Sequence, residues 1–164
     1  MKVYHGSITE IKNPDVNHSK KYLDFGKGFY VTTYQKQAER WAVRKSLRSG
    51  KGRPTVNVYE LKDDFMEYRV LEFRDPEDDE RWIDFVCDCR DGKEDYKNYD
   101  IIIGGVADDD VFKSVDMYHR GAWDKQRTLQ ELKYFKKNNQ IAIINQKALD
   151  DLLVFRYSYE VEGK

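Results

Sequence analysis

The order of its strand and helix patterns is the feature that most constrains how this chain can fold. Short extended segments, rich in β-branched and aromatic residues, are mixed with helical patterns in no regular βαβ sequence. Such a mixture favours an α+β fold over a doubly wound parallel sheet. The predicted strands cover residues 1–5, 29–31, 56–61, 70–73, 101–103, 140–144 and 155–161.

The helices are predicted from apolar spacing and from capping residues. Trp82, Phe85, Val86 and Cys89 are spaced as i, i+3, i+4 and i+7, which places them on one helical face. Further helices are predicted after Thr32 and Thr33 as far as Gly50, from Asp110 to Tyr118, and from a capping box at Thr128 and Glu131 to about Lys137.

The composition predicts one domain, residues 1–164, because 40% hydrophobic residues suffice for a single core. The 29 basic and 30 acidic residues leave a formal charge of −1, so no overall attraction to nucleic acid is expected. No apolar run approaches the roughly 18 residues of a membrane span, and the first ten residues do not resemble a signal peptide. Cys87 and Cys89 do not form a disulfide framework, which favours a cytoplasmic location.

Common catalytic and metal-binding motifs are absent from the sequence. It contains no Walker loop, no HExxH and no GxSxG. His5, His18 and His119 lie far apart and have no CxxC partner, so no metal site is expected. Cys89 falls on the apolar helical face, and a buried, inert thiol is the favoured interpretation of the cysteine pair.

Three segments carry unusual combinations of residues. In the first, residues 4–7 (Tyr-His-Gly-Ser), a strand that ends at His5 and Gly6 places an imidazole at a strand tip beside an approachable backbone, although a structural histidine is an alternative. The second runs from Asp24 to Thr33 and reads DFGKGFYVTT. Its two glycines around a lysine indicate either a phosphate-binding loop or a plain hairpin turn.

The third segment is a predicted buried strand at residues 101–103 that runs through two glycines into Asp108, Asp109 and Asp110. Acidic residues at a helix start are explained by N-capping and by the helix dipole. One cap needs only one of the three carboxylates, so a site role for another remains open.

Taken together, these segments resemble the ADP-ribosyltransferase fold, in the branch with a His-Tyr-Glu constellation found in diphtheria-type toxins and poly(ADP-ribose) polymerases. FGKGFYVTT is the specific part, and the resemblance extends from Tyr4 to about Phe155. It implies a split β-sandwich of two small, mostly antiparallel sheets with a cleft between them. The closest resemblance is to an uncharacterised bacterial family often encoded beside small partner proteins in toxin–antitoxin-like operons.

The resemblance implies roles for individual residues in binding NAD as a co-substrate. His5 would bind the adenosine ribose, the Gly6 backbone would bind the nicotinamide amide, and Tyr30 would stack on the nicotinamide ring. Trp41 falls where such enzymes place a second stacking aromatic. The remaining residues of the implied NAD site are Ser7, Asp24, Gly28 and Thr32.

Gln140 departs from the pattern, because it stands where the polymerases carry their catalytic Glu. It can hydrogen-bond a ribose hydroxyl, but it brings no negative charge to an oxocarbenium-like transition state. Elongation of poly-ADP-ribose is therefore not expected. Transfer of a single ADP-ribose would need another acid, and the candidates are Asp108 and Asp109, with Asp24 as a lesser one.

The resemblance therefore implies a mono-ADP-ribosyltransferase that modifies a protein, RNA or DNA inside the cell. The expected setting is that of a modifying enzyme or of a toxin paired to a small antitoxin-like protein. One alternative is a catalytically inactive module that binds NAD or ADP-ribose. Another is a nucleic-acid-binding protein, supported by a basic stretch that could equally be a solvated helix face. That stretch comprises Arg40, Arg44, Lys45, Arg48, Lys51 and Arg53.

Overall fold

The computed structural model describes residues 1–19, 23–135 and 137–162, with the side chains of Asp109 and Asp110 outside that description. The described residues form seven strands and five helices. The strands are β1 (Lys2–Ser7), β2 (Phe29–Val31), β3 (Thr55–Leu61), β4 (Val70–Glu72), β5 (Ile101–Gly104), β6 (Gln140–Ile143) and β7 (Leu153–Glu160). The helices are α1 (Gln35–Ser49), α2 (Glu80–Arg90), α3 (Asp109–His119), α4 (Lys125–Leu132) and α5 (Gln146–Leu152).

The strands form two small sheets. The first has the order β1-β3-β7, with both neighbouring pairs antiparallel. The second has the order β2-β6-β5-β4, in which only β4 and β5 are parallel. The expectation of an α+β fold with two mostly antiparallel sheets is therefore confirmed.

Apolar side chains pack on both faces of the second sheet. On one face, Ile101, Ile141 and Ile143 pack against Val3 and other residues of the first sheet. The other face is covered by α2 and α3, and its core contains Phe25, Trp82, Val86, Ile102 and Ala142. The alternation of side chains along β6 assigns its residues to these two cores in turn. A separate small core, formed by Ala38, Ala42, Val56 and Val58, joins α1 to the first sheet.

Two helix starts differ from the predicted caps. The α4 helix begins one turn before the predicted Thr128, because the Asp124 carboxylate accepts from the Arg127 N–H at 2.8 Å. The Thr128 hydroxyl instead donates back to the Asp124 carbonyl. At α1 the Thr32 hydroxyl accepts from the Tyr34 N–H, one residue before the helix. An upstream residue, Asp124, thus caps α4, whereas the N-cap of α1 is Tyr34, whose side chain makes no capping bond.

Within the described ranges, none of the helices has the length and apolar character needed to cross a bilayer.

Candidate functional site

The two sheets meet where β1 approaches β2. The Tyr4 N–H donates to the Thr32 carbonyl at 2.8 Å, and the Thr32 N–H donates to the Tyr4 carbonyl at 2.9 Å. This single antiparallel bridge joins the free edge of β1 to the free edge of β2. Thr32 is fully buried, and its hydroxyl also donates to Asn139 Oδ1 at 2.8 Å. Thr32 therefore fixes the junction of the sheets.

Beyond this bridge the two strands separate. An antiparallel ladder continued from Tyr4 and Thr32 would place Gly6 opposite Tyr30, but that pair does not form. Instead, the Tyr30 carbonyl lies 2.6 Å from His5 Nδ1, and Lys45 Nζ donates to the Gly6 carbonyl at 2.7 Å. We call this opening, between β1 at Gly6 and β2 at Tyr30, the strand gap.

The Gly6 backbone faces the strand gap. In an antiparallel pair, successive residues turn their N–H and C=O groups alternately toward and away from the neighbouring strand. Because Tyr4 bonds to Thr32, it faces away from β3, and Gly6, two residues further on, faces the same way. One backbone donor and one backbone acceptor of Gly6 therefore point toward β2.

Only glycine fits at position 6. A Cβ added there would lie 2.3 Å from the Ala38 carbonyl oxygen and 2.7 Å from the Ala42 nitrogen, both in the backbone of α1. The helix therefore packs directly on the strand, which is the close approach that glycine permits. Trp41 is half-buried beside it, with its own Cβ 3.0 Å from the same point.

His5 does not lie at a strand tip, because β1 continues through Gly6 to Ser7 and pairs with β3 along its length. Its ring is half-buried and stacks on Phe29 at 4.3 Å. Burial and the nearby Lys45 charge lower the pKa of His5 to about 3, although the bond to the Tyr30 carbonyl opposes this. The imidazole is therefore neutral at neutral pH. Because a carbonyl only accepts, Nδ1 carries the proton and Nε2 keeps a lone pair.

Tyr30 is anchored through its hydroxyl. The hydroxyl donates to the Gly26 carbonyl at 2.5 Å and accepts from the Phe25 N–H at 3.0 Å. Gly26 has a φ of 81°, and the Tyr96 ring lies where a Cβ would be, so only glycine suits this turn. Burial, together with the negative charge of Asp24, raises the pKa of Tyr30 well above its usual value, so Tyr30 stays neutral.

Asp24 and Gln140 meet behind Tyr30. Gln140 Nε2 donates to Asp24 Oδ2 at 3.0 Å and to the Gly105 carbonyl at 3.1 Å. Asp24 Oδ2 also accepts from the Ala107 N–H, while Oδ1 accepts from Arg90 Nε at 2.9 Å and Nη2 at 2.5 Å. The structure thus brings the lesser of the three candidate acids to Gln140 and neutralises its charge with Arg90.

The other candidate acids lie at the start of α3. Asp108 caps this helix by accepting from the Val111 N–H at 3.2 Å, and its second oxygen lies 3.5 Å from Asn138 Nδ2. The Asp109 side chain lies outside the described residues. A catalytic role for either acid stays a prediction, and capping accounts for the observed contacts of Asp108.

The remaining predicted residues position backbone. Gly28 brings the chain against β6, because a Cβ there would lie 2.7 Å from the Ile143 carbonyl oxygen, and its N–H donates to Ser19 Oγ. Ser7 is buried and pairs with Thr55 at the end of β1. The basic stretch occupies the exposed side of α1 and the loop after it, where Arg53 pairs with Glu160 at 3.2 Å.

Two contacts of the candidate site are absent from the sequence predictions. Lys45 belongs to the basic stretch, yet it reaches the Gly6 carbonyl from α1. Its position four residues after Trp41, on the same side of the helix, was the available signal. The contact of Arg90 with Asp24 cannot be predicted from sequence patterns, because the two residues lie 66 positions apart in the chain.

The comparisons with known proteins bear on this site as a whole. A family model described as "Protein of unknown function (DUF3990)" matches residues 1–155. The chain belongs to this family. The matched range includes the strand gap, the Asp24–Gln140 pair and all of the second sheet. Searches of curated proteins and of solved structures each found no match to the DUF3990 chain.

Proposed function

We propose that this DUF3990 protein is a mono-ADP-ribosyltransferase that uses NAD to modify a macromolecule of the cytoplasm, as the toxin of a pair with a small antitoxin-like protein. The observation that carries the enzymatic proposal is the strand gap, where Gly6 turns its N–H and C=O toward Tyr30. The carboxamide of nicotinamide has one acceptor oxygen and a donor NH₂ group. These complement the Gly6 N–H and the second lone pair of the Gly6 carbonyl, whose first is taken by Lys45, and the Tyr30 ring offers a surface for stacking.

The chemistry of His5 supports the same ligand. Its neutral ring and its proton on Nδ1 leave Nε2 as a hydrogen-bond acceptor. A ribose hydroxyl is a donor that fits such an acceptor. The Phe29 ring under His5 and the Tyr30 carbonyl hold the imidazole in place, so little ordering is needed when a ligand binds.

In the proposed reaction the bond between nicotinamide and the ribose C1′ breaks, and its electron pair leaves with nicotinamide. A nucleophile of the acceptor forms the new bond to C1′ and gives its proton to water. The ribose carries positive charge in the transition state, and Gln140 supplies a hydrogen-bond acceptor without a charge. This arrangement supports one transfer and gives no support to chain elongation.

The same departure favours a second candidate, an inactive module that binds NAD or ADP-ribose. Gln140 carries no charge, and the nearest carboxylate, Asp24, is paired with Arg90. A module of this kind would bind NAD with the same residues but would release no nicotinamide.

The test is to incubate the protein with NAD labelled in its adenylate part and with cell lysate. Nicotinamide release and label in protein, RNA and DNA are then measured. Label in one of these fractions, lost in His5→Ala and kept in the matched control His119→Ala, supports the transferase. NAD binding without nicotinamide release supports the inactive module. A folded protein that neither binds nor cleaves millimolar NAD contradicts both.

A further inference from the structure

The orientation of the Gln140 amide is fixed by its two partners. Its nitrogen lies 3.0 Å from Asp24 Oδ2 and 3.1 Å from the Gly105 carbonyl oxygen. An amide oxygen in that place would face two oxygens that accept hydrogen bonds, whereas the NH₂ group donates to both. The NH₂ end therefore points inward, and Oε1 points away from Asp24.

Gln140 Oε1 reaches solvent even though Gln140 is only 4% exposed. Across the described part of the chain, every side-chain nitrogen or oxygen cut off from solvent has a hydrogen-bond partner. Oε1 has none among those residues, so it keeps contact with solvent. The Asp24–Gln140 pair thus leaves one oriented acceptor in contact with solvent.

This acceptor lies on the Tyr30 face of the second sheet. Tyr30 is directly opposite Ala142 on β6, and Gln140 is two residues from Ala142. Residues two apart in a strand share a face, and cross-strand partners do as well. The influence of the Asp24 charge on the pKa of Tyr30 agrees with this placement.

We propose that Asp24 is a positioning residue, which holds Gln140 so that Oε1 accepts a hydrogen bond from a ribose hydroxyl of NAD. This inference rests on the proposed function. An anionic partner behind the NH₂ group polarises the amide and strengthens its oxygen as an acceptor. Arg90 offsets the charge of Asp24, so Asp24 orients the amide and does not itself stabilise the transition state.

The first variant is Gln140→Glu, which restores the residue of the His-Tyr-Glu pattern. The new carboxylate would face Asp24 and the Gly105 carbonyl, two acceptors, so we expect a lower Tm and no gain in turnover. Adding Asp24→Asn supplies a donor to the new carboxylate. For the double variant D24N/Q140E we expect a Tm above the value obtained by adding the effects of the two single variants. We also expect its turnover to be at least about tenfold higher than that of Gln140→Glu.

The second variant is Asp24→Asn alone, with Asp79→Asn as its matched control. Asp79 is also a buried carboxylate paired with an arginine, Arg81, at 2.7 Å. Both variants should lower Tm. Only Asp24→Asn should lower kcat, by about 10²-fold, the cost of a misplaced group, with a smaller change in the KM for NAD.

Three outcomes separate this inference from the proposed function. A wild-type protein that releases no nicotinamide refutes the proposed function and the inference with it. Wild-type activity that Asp24→Asn leaves unchanged refutes the positioning role alone. A Gln140→Glu variant with raised turnover and wild-type Tm also refutes it, because the carboxylate would then fit beside Asp24.

Discussion

Replacing Tyr30 by Phe separates its anchoring contacts from its proposed stacking. The change removes the hydroxyl that bonds to Gly26 and Phe25 and leaves a buried carbonyl and a buried N–H without that partner. Leaving a buried group unpaired costs about 1–3 kcal/mol. Both groups belong to one short turn whose backbone can shift to restore part of the bonding, so we expect the free energy of unfolding to fall by about 2 kcal/mol. For a chain of 164 residues this lowers Tm by about 6 °C.

Tyr59→Phe is the matched control, because the Tyr59 hydroxyl is also buried but makes one bond, to the Ile11 carbonyl at 2.7 Å. We expect Tyr59→Phe to lower the free energy of unfolding by about 1 kcal/mol, half of the effect of Tyr30→Phe. Thermal and denaturant unfolding measure both variants. If Tyr30→Phe has the Tm of the wild-type protein, the conclusion that the Tyr30 hydroxyl anchors this turn is refuted.

Calorimetric titration with NAD then tests the ring. Tyr30→Phe keeps the aromatic face, so its affinity for NAD should stay close to that of the wild-type protein. Tyr30→Ala should weaken binding by about 1–3 kcal/mol, the usual value of stacking on a base. Equal affinities for the Phe and Ala variants would refute stacking by Tyr30.

Three further predictions concern the strand gap. Gly6→Ala should lower the free energy of unfolding by about 1–3 kcal/mol and abolish NAD binding, because the added Cβ collides with the backbone of α1. A variant with wild-type Tm and wild-type affinity for NAD would contradict this packing. The pKa of His5 is about 3 in the folded protein and about 6.5 when unfolded, so its stabilising effect is complete above pH 6.5 and is lost as pH falls toward 3. Because the ring keeps some contact with solvent, the loss in free energy of unfolding is at most about 1.4 kcal/mol per pH unit. Denaturant unfolding from pH 7 to 4 should therefore show a shallower decline in stability for His5→Gln than for the wild-type protein. Lys45→Met should raise the pKa of His5, measured by NMR titration of the imidazole, and an unchanged value would show that Lys45 does not act on it.

Local patterns in the sequence predicted most of the elements. The spacing of Trp82, Phe85, Val86 and Cys89 gave α2, with Cys89 buried as expected, and both thiols have raised pKa values that make them inert. The α5 helix was missed, because its seven residues are too few to show a clear period. Its start depends on Asn145, which accepts from the Ala148 N–H.

The site was predictable only in part, for a physical reason. His5, Gly6 and Tyr30 were recognised from short motifs, but the separation of β1 from β2 depends on pairing between distant strands, which periodicity does not encode. For the same reason the sequence favoured Asp108 and Asp109 over Asp24 as candidate acids, whereas Asp24 is the carboxylate that meets Gln140. A residue at a helix start is visible as a cap, but its spatial neighbours are not.

The position of β6 has a consequence for how the protein is made. This strand lies between β2 and the β5-β4 pair, so β2 cannot join the second sheet until residues 140–143 have left the ribosome. Contacts of such long sequence separation also form late and slowly during folding. A nascent chain that has not yet released residues 140–143 therefore carries the His-Gly and FGKGFY motifs without an assembled site. Any chemistry at the strand gap is withheld until residues 140–143 have emerged and paired with β2.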